Sequence, residues 1–420
     1  MHGGSEADDH RGQDDSTNRS CEGEIASNPA WKEEGEQVKT KVVSFDTDYN
    51  SACFVTNHGD VRFVGDSGKY GQFGYWSKGT GTVSVINESG VNVHSIGDSS
   101  YRPPPKNMGK IVKCIMHHGM TLALNESNDL LIWGSVKKKL WQSLPHNEAI
   151  KDIMVFGEQI AFITTKDVPC IVTLRGCGSS LSRHITDAML AHKNPTNVMA
   201  SWGVGYARFQ DGTTVIVHDS GDDPDNNEIK SFKCNTEWVA SDWEFLYWKS
   251  NGKVHSIARR DNSNENLNRS DALEKAVKVT STGDHLAWLT DDNVVHIPAH
   301  TWYERDKEPS EIQLDKPPTD FSCSFILDAD GILIPMKSES YGGAHLILSA
   351  FPDWADDEDV VMKLIRQSPT NFQFASPRLR KSVEFSKKVA ALGPKHLLEV
   401  DGMMRRNREL RSYKRLYDLA

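Results

Sequence analysis

ACFVTNHGDVRFVG, residues 52–65, reads as two apolar runs folded about a tight turn at Gly59. The phrase returns six times: TLALNESNDLLIWG (121–134), IAFITTKDVPCIV (160–172), YARFQDGTTVIVH (206–218), FLYWKSNGKVHSI (245–257), LAWLTDDNVVHIP (286–298) and SFILDADGILIPM (324–336). The matching turn positions are Gly59, Asn128, Asp167, Gly212, Gly252, Asp292 and Gly331, at steps of 69, 39, 45, 40, 40 and 39 residues. A period of about 40 residues built from short strands marks a propeller or another repeat array. Gly, Asn and Asp suit the turns because they accept positive φ or hydrogen-bond locally. The flanking Val, Ile, Phe, Tyr and Trp suit half-buried strands.

Working outward, each phrase follows an opening strand, as in KIVKCIMHH (110–118) and KAVKVTST (275–282). Polar loops such as DSGDDPDNNE (219–228) and RRDNSNENLNRSD (259–271) lead onward. The first step is long because residues 76–109 carry an insertion with another strand pair and a Pro-rich turn. That insertion is either an elaborated loop or a fourth blade strand. Seven hairpins predict seven sheets, and closing them into a ring removes the exposed edges that invite aggregation.

The first repeat continues as DVRFVGDSGKYGQFG (60–74), with Gly65, Gly68, Gly71 and Gly74 around Gln72-Phe73. This closely resembles the repeat of the regulator-of-chromosome-condensation family, a strand, a Trp-Gly or similar step and a glycine-rich turn. The second repeat keeps Trp133-Gly134 and the seventh keeps Tyr341-Gly342-Gly343; the other four keep only the hairpin. The resemblance covers about residues 41–352 in periodicity. It implies an all-β fold, a seven-bladed β-propeller of that family's type. WD-repeat and kelch propellers are the rivals, but neither a regular Trp-Asp ending nor paired blade glycines are present.

The expected organisation is an acidic disordered segment over 1–40, the propeller over 41–355 and a small basic helical extension over 356–420. Residues 1–40 carry ten acids against four Lys or Arg and almost no large apolar residues, too few to offset ordering entropy. In ADDEDVVMKLIRQ (355–367) acids lead and bases trail, as a helix dipole favours. Ser376-Pro377 reads as a cap and first-turn proline ahead of RLRKSVEFSKKVAAL, stopped by Gly393-Pro394. A last helix over 402–420 places Met403, Leu410, Tyr413 and Tyr417 on about one face.

The net charge of −10 is uneven, since residues 363–420 carry fourteen Lys or Arg against five acids. An acidic body repels a phosphate backbone, so duplex binding through the propeller is not expected. Nucleic acid remains a partner for the basic tail alone. No apolar stretch approaches the roughly 18 residues of a membrane span, and no secretory signal is visible. Seven scattered cysteines read as reduced thiols, which fits the cytoplasm, the nucleus or both.

No phosphate-cradling loop, zinc helix or nucleophile elbow is found, and no cofactor, metal or catalytic residue is expected. His117 and His118 sit next to each other on a strand, so their side chains point to opposite faces. Cys170 and Cys177 lack two further ligands for zinc. Trp238, Trp243 and Trp248 have the acidic neighbours Glu237, Asp242 and Glu244 rather than the basic ones a base-stacking platform needs, and Trp202 and Trp288 occupy comparable blade positions, so blade packing is the expected role.

Three functions remain. The first is a non-enzymatic interaction module whose loops meet protein partners. Candidate contact residues are Asp219, Asp222, Asp223 and Asp225 in the acidic loop, Arg183 and His184 after the third hairpin, and Arg405, Arg406 and Arg408 in the tail. The second is what the resemblance implies: the family's founding member accelerates nucleotide exchange on the small GTPase Ran, inserting a hairpin wedge from one blade. In this chain LRGCGSSLSRHITDAMLAHKNP (174–195) is long enough for a wedge. Chromatin contact in that family uses a basic N-terminal tail, whereas this one is acidic. The third is a propeller hydrolase or lyase using His255, His285 or His296.

Overall fold

The computed structural model describes residues 39–396, apart from 49–50, 66–81, 87–100, 103–106, 118–119, 136–147, 157–158, 174–179, 193, 202–203, 220–228, 243–244, 259–268, 283–284, 298–309, 323, 337–343 and 394. Contacts divide the chain into two units, residues 1–39 and 40–420. The second unit contains every sheet and helix described below. The expected disordered segment, but for residues 39–40, and the last predicted helix lie outside the described residues.

Seven antiparallel sheets follow one another along the chain. Blade 1 holds Val42–Asp48, Ser51–Thr56, Val61–Gly65 and Thr82–Ile86. Blade 2 holds Ile111–His117, Met120–Asn125 and Leu130–Ser135, with Tyr101–Arg102 outermost. The insertion therefore supplies the outer strands of two blades. Blade 3 holds Ile150–Phe156, Gln159–Thr164 and Pro169–Thr173. Blade 4 holds Pro195–Ser201, Val204–Phe209, Thr213–Asp219 and Ile229–Asn235. Blade 5 holds Trp238–Ser241, Phe245–Ser250 and Lys253–Ala258. Blade 6 holds Ala276–Thr282, His285–Thr290, Val294–Ile297 and Ser310–Gln313. Blade 7 holds Asp320–Phe321, Phe325–Leu327 and Leu333–Pro335.

First strands of blades 1 and 2, 3 and 4, and 5 and 6 pack on each other, which places them at the hub. Second strands such as MTLALN and QIAFIT are buried along their whole length. That double-sided burial explains why they read as continuous apolar runs.

Six of the seven turn positions adopt positive φ where the sequence puts them, and the seventh lies at Asn293 rather than Asp292. The turn begins at Thr290, and its fourth residue takes the left-handed conformation, as Gly59 does after Thr56 and Asn128 after Asn125. Asp292 instead accepts a 2.6 Å hydrogen bond from the Thr290 hydroxyl. The residue opening each turn often fastens it. Thr56 Oγ1 accepts from the amides of His58 and Asp60, and Asn125 Oδ1 from those of Ser127 and Asp129. Thr164 and Asp328 do the same in blades 3 and 7.

Among the described residues, blades 3, 5 and 7 have three strands, and a helix packs on the last strand of each. These are α1 (Ser180–Ala191), α2 (Ser270–Leu273) and α3 (Ala344–Ala350). In α1, Leu181, Ile185 and Met189 recur at helical spacing and join the apolar cluster between blades 3 and 4. Gly205 leaves room for them, since a Cβ there would stand 3.1 Å from Leu181 and 3.2 Å from Ile185. At α2, Arg269 pairs with the buried Asp242 at 3.0 Å, and Asp242 also accepts from the Tyr247 hydroxyl. Burial raises the Tyr247 pKa, and Asp242 adds to the effect.

Blade 7 meets blade 1 without sharing a strand. Phe325 packs edge-on against Phe54 and Phe45, and the Val42 amide donates to the Gly331 carbonyl at 2.9 Å. The helices cover this seam. After α3 come α4 (Pro352–Ala355), α5 (Glu358–Gln367), a 3-10 turn (Pro369–Phe374), α6 (Pro377–Lys381) and α7 (Val383–Ala390). Ile347, Leu348, Phe351, Trp354, Val360 and Leu364 form one core with residues of blades 1 and 7. Trp354 Nε1 donates to the Thr40 carbonyl at 2.9 Å. Arg62 of blade 1 donates to the Ala350 carbonyl at 2.7 Å and lies 4.5 Å from the Phe351 ring centroid. The C-terminal run of helices thus begins at Ala344, within the residues that the sequence assigns to the propeller. Asp357 caps α5 as the acidic start suggests. The single helix expected after Ser376 is two, because the Ser382 side chain caps a second one by accepting from the Phe385 amide.

Candidate partner-binding face

The hairpin turns and the starts of the first strands lie at the same end of the blades, the turn face. Register shifts there place an extra residue near the start of five first strands: Val43, Val112, Lys151, Thr196 and Val277. A bulge leaves its extra residue outside the ladder. All five are exposed, with Val43 at 50%, Val112 at 44% and Val277 at 54%. Val168, at the turn of blade 3, is 51% exposed on the same face. Four of the seven exposed large hydrophobics among the described residues therefore share one end of the blades. Sequence reasoning missed them. The available signal was a triplet, KVV (41–43), KIV (110–112) and KAV (275–277), repeated at the opening of three blades.

The next residues inward settle their charges between neighbouring blades. Lys113 reaches Asp152 at 2.5 Å, and Lys278 reaches Asp320 at 2.8 Å. Asp46 accepts from the Met116 amide at 2.9 Å. The blade 7 turn is held from the helices, where Lys363 contacts Asp328 at 2.6 Å and Asp330 at 2.7 Å. The hydrogen bond and charge of Lys363 hold the Asp330 carboxyl below its ordinary range. Partial burial would lower the Lys363 pKa, but the two carboxylates outweigh it and the net shift is upward.

The other end of the blades carries loops that lie largely outside the described residues. Asp222, Asp223, Asp225, Arg405, Arg406 and Arg408 lie outside the described residues. Asp219 is the last residue of its strand, opposite Ile229. Arg183 and His184 are exposed on α1. Leu181 and Ile185 pack over Gly205, which pairs with Val217, two residues before Asp219. The structure thus brings the start of α1 and the start of the acidic loop to the same end of blade 4. The segment considered as a wedge is, over 180–191, a helix packed on blade 4 rather than a protruding hairpin.

The remaining candidates stay apart. His255 stacks on Trp248 in blade 5, and His296 stacks on Trp288 in blade 6. His296 Nδ1 is 3.1 Å from Glu311, and His285 begins the second strand of blade 6. Trp238 is buried and donates to the Ala276 carbonyl; Trp202, Trp243 and Cys177 lie outside the described residues. Cys53 lies against the Cys114 carbonyl with Sγ at 3.7 Å, and burial pushes its thiol pKa up. Among the described residues no three His, Cys, Asp or Glu side chains group as a metal site, and no helix is long and apolar enough to cross a membrane.

Neither a protein-family model nor a curated protein matches the sequence. Solved structures do. The chain resembles RCC1-type propellers. Yeast RCC1 (Prp20), solved bound to Kap60, is 12% identical, with 65% of this chain and 75% of that one covered at a TM-score of 0.44. Human WBSCR16 is 11% identical over 69% of this chain and 86% of its own, at 0.43. Kluyveromyces lactis Hsv2 is 11% identical over 71% and 90%, at 0.37. Likenesses this distant concern the fold, and the fold itself rests on the seven sheets and their closure.

Proposed function

We propose that the chain is a non-enzymatic interaction propeller that docks a protein partner on its turn face. The observation that carries this reading is the set of half-exposed valines Val43, Val112 and Val277, displayed by bulges in blades 1, 2 and 6. Lys41, Lys110 and Lys275, all exposed, stand two residues before them. Completing the burial of each valine would contribute about 1 kcal/mol to association. An apolar set rimmed by polar groups is the pattern of a protein interface rather than of a solvated rim.

The test is affinity capture with the full chain and with V43K/V112K/V277K. The exposed positions predict an unchanged circular-dichroism melt. Proteins captured by the wild type should be lost by this variant and kept by a control with Asp219→Lys. Equal capture by all three chains would overturn the reading.

Guanine-nucleotide exchange on a Ran-like small GTPase is the alternative suggested by the resemblance. The Prp20p structure was described with its binding properties to Gsp1p and histones. Acceleration of fluorescent GDP release from any member of a small-GTPase panel would favour exchange over docking alone.

A further inference from the structure

The lysines of the turn face are not spread evenly around the ring. At the joint between blades 7 and 1 the Val42 amide donates to the Gly331 carbonyl, and at the joint between blades 1 and 2 the Ile111 amide donates to that of Gly59. A lysine precedes each donor and an exposed valine follows it: Lys41 and Val43, then Lys110 and Val112. Each lysine stem crosses the turn glycine of the preceding blade. A Cβ on Gly331 would stand 2.8 Å from Lys41 Cβ, and one on Gly59 would stand 2.5 Å from Lys110 Cγ. Gly212 accepts from the Thr236 amide in the same way at 3.1 Å, but Asn235 precedes that donor and nothing lies within 4 Å of a Cβ there. Two neighbouring joints therefore repeat one construction, a lysine laid over a turn beside a bulged valine.

The charge of this sector is one-sided. Its turn acids are compensated within the chain: Asp60 faces Arg62 at 3.8 Å, and Asp328 and Asp330 meet Lys363. Lys363 first, then Lys316 and Lys41, hold the Asp330 carboxyl below its ordinary range, which puts Lys316 in the same neighbourhood. Lys41, Lys110 and Lys316 are exposed and have no ion pair among the described residues. Against these three stands Asp315, exposed next to Lys316. Elsewhere on the face the exposed turn residues Glu126, Asp211 and Asp291 carry the opposite sign.

We infer that the partner presents an acidic, apolar peptide segment to blades 7, 1 and 2. This rests on the docking reading given above and adds the chemistry of the partner. Carboxylates answer the three lysines, and apolar side chains complete the burial of Val43 and Val112. A basic segment would set like charges against each other. A nucleic-acid strand fits less well. The valines need apolar contacts that a phosphate backbone lacks, and lysines lack the forked donors that grip phosphate bidentately. Glu126, Asp211 and Asp291 also repel a strand that runs on around the face.

The experiment is affinity capture with the full chain, followed by zero-length carbodiimide cross-linking, which joins a lysine amine to a carboxylate in contact with it. Only proteins lost by V43K/V112K/V277K are followed. Their capture should fall about tenfold or more in K41E/K110E/K316E, weaken as salt rises, and persist in the control E126K/E148K/D291K. Peptide mapping should join Lys41, Lys110 or Lys316 to Asp or Glu of one partner segment that also holds apolar residues. The salt series and the cross-links use the wild-type chain, so they decide the matter even if K41E/K110E/K316E melts early. Valine-dependent capture that survives K41E/K110E/K316E, or cross-links running from Glu126 or Asp291 to partner lysines, would overturn this inference and leave the docking reading standing. Valine-dependent retention of RNA or DNA in place of a protein would overturn it too. Capture indifferent to the valines would overturn both.

Discussion

The amide of Val42 donates to the carbonyl of Gly331 across 2.9 Å, tying the first strand of blade 1 to the hairpin turn of blade 7. Ile111 makes the same bond to Gly59 at 3.3 Å, and Ile150 makes it to Asn128 at 3.0 Å. The joint between the ends of the repeat array is therefore built like the joints between blades 1 and 2 and between blades 2 and 3. No strand crosses it, so the chain relies on α3 to α5 where other interfaces rely on continuity.

Gly331 should tolerate substitution less well than Gly212. Both have positive φ, but an added Cβ at Gly331 would meet Lys41 Cβ at 2.8 Å, whereas at Gly212 nothing lies within 4 Å. Gly212→Ala should cost about 1 kcal/mol for the left-handed backbone alone. Gly331→Ala should add roughly 1–3 kcal/mol of overpacking. Urea denaturation of the two variants checks the order.

Trp354 is fully buried at the seam. Trp354→Ala should destabilise by about 3–5 kcal/mol, and Trp354→Phe by about 1 kcal/mol for the lost bond to Thr40 plus some packing. A chain ending at 355 loses Val360, Lys363 and Leu364 from the same joint, so its melting temperature should fall as well. Any binding it loses would then report on the ring as much as on the helices.

Arg62 holds blade 1 to the α3–α4 junction through a carbonyl and an aromatic face. Arg62→Lys should recover little of the stability lost in Arg62→Ala, because the planar fork both stacks and donates. If the lysine variant melts with the wild type, charge alone is what matters there.

The Lys363 pairs predict a pH dependence of known sign. Asp330 titrates below its ordinary value, so its contribution is present above about pH 4 and is lost as pH falls through the folded pKa. Lys363 titrates above its ordinary value, so its contribution is present below about pH 10 and is lost as pH rises through the folded pKa. The stability difference between wild type and Lys363→Met should be flat between these limits and shrink outside them. A difference that does not change with pH would contradict the pairing.

The hairpins were legible because a turn needing positive φ restricts its residue to Gly, Asn or Asp. Asn293 was misplaced by one because Asp291, Asp292 and Asn293 are all turn formers, and only backbone geometry chooses among them. The alternation of fourth strands with helices was not legible as a pattern. Leu181, Ile185 and Met189 carry a helical period, but polar residues at either end made the segment read as a loop. Charge drew the candidate site toward Asp222 and Arg405. The exposed valines left only the repeated KVV, KIV and KAV triplets as a signal, since a bulge itself shows only in the pairing of two strands.

Amide hydrogen exchange at Val42 tests closure most directly. If the ring is shut between blades 7 and 1, Val42 exchanges as slowly as Ile111 and Ile150, the residues in the same bond elsewhere. Fast exchange at Val42, with Ile111 and Ile150 protected, would show an open array and contradict the account.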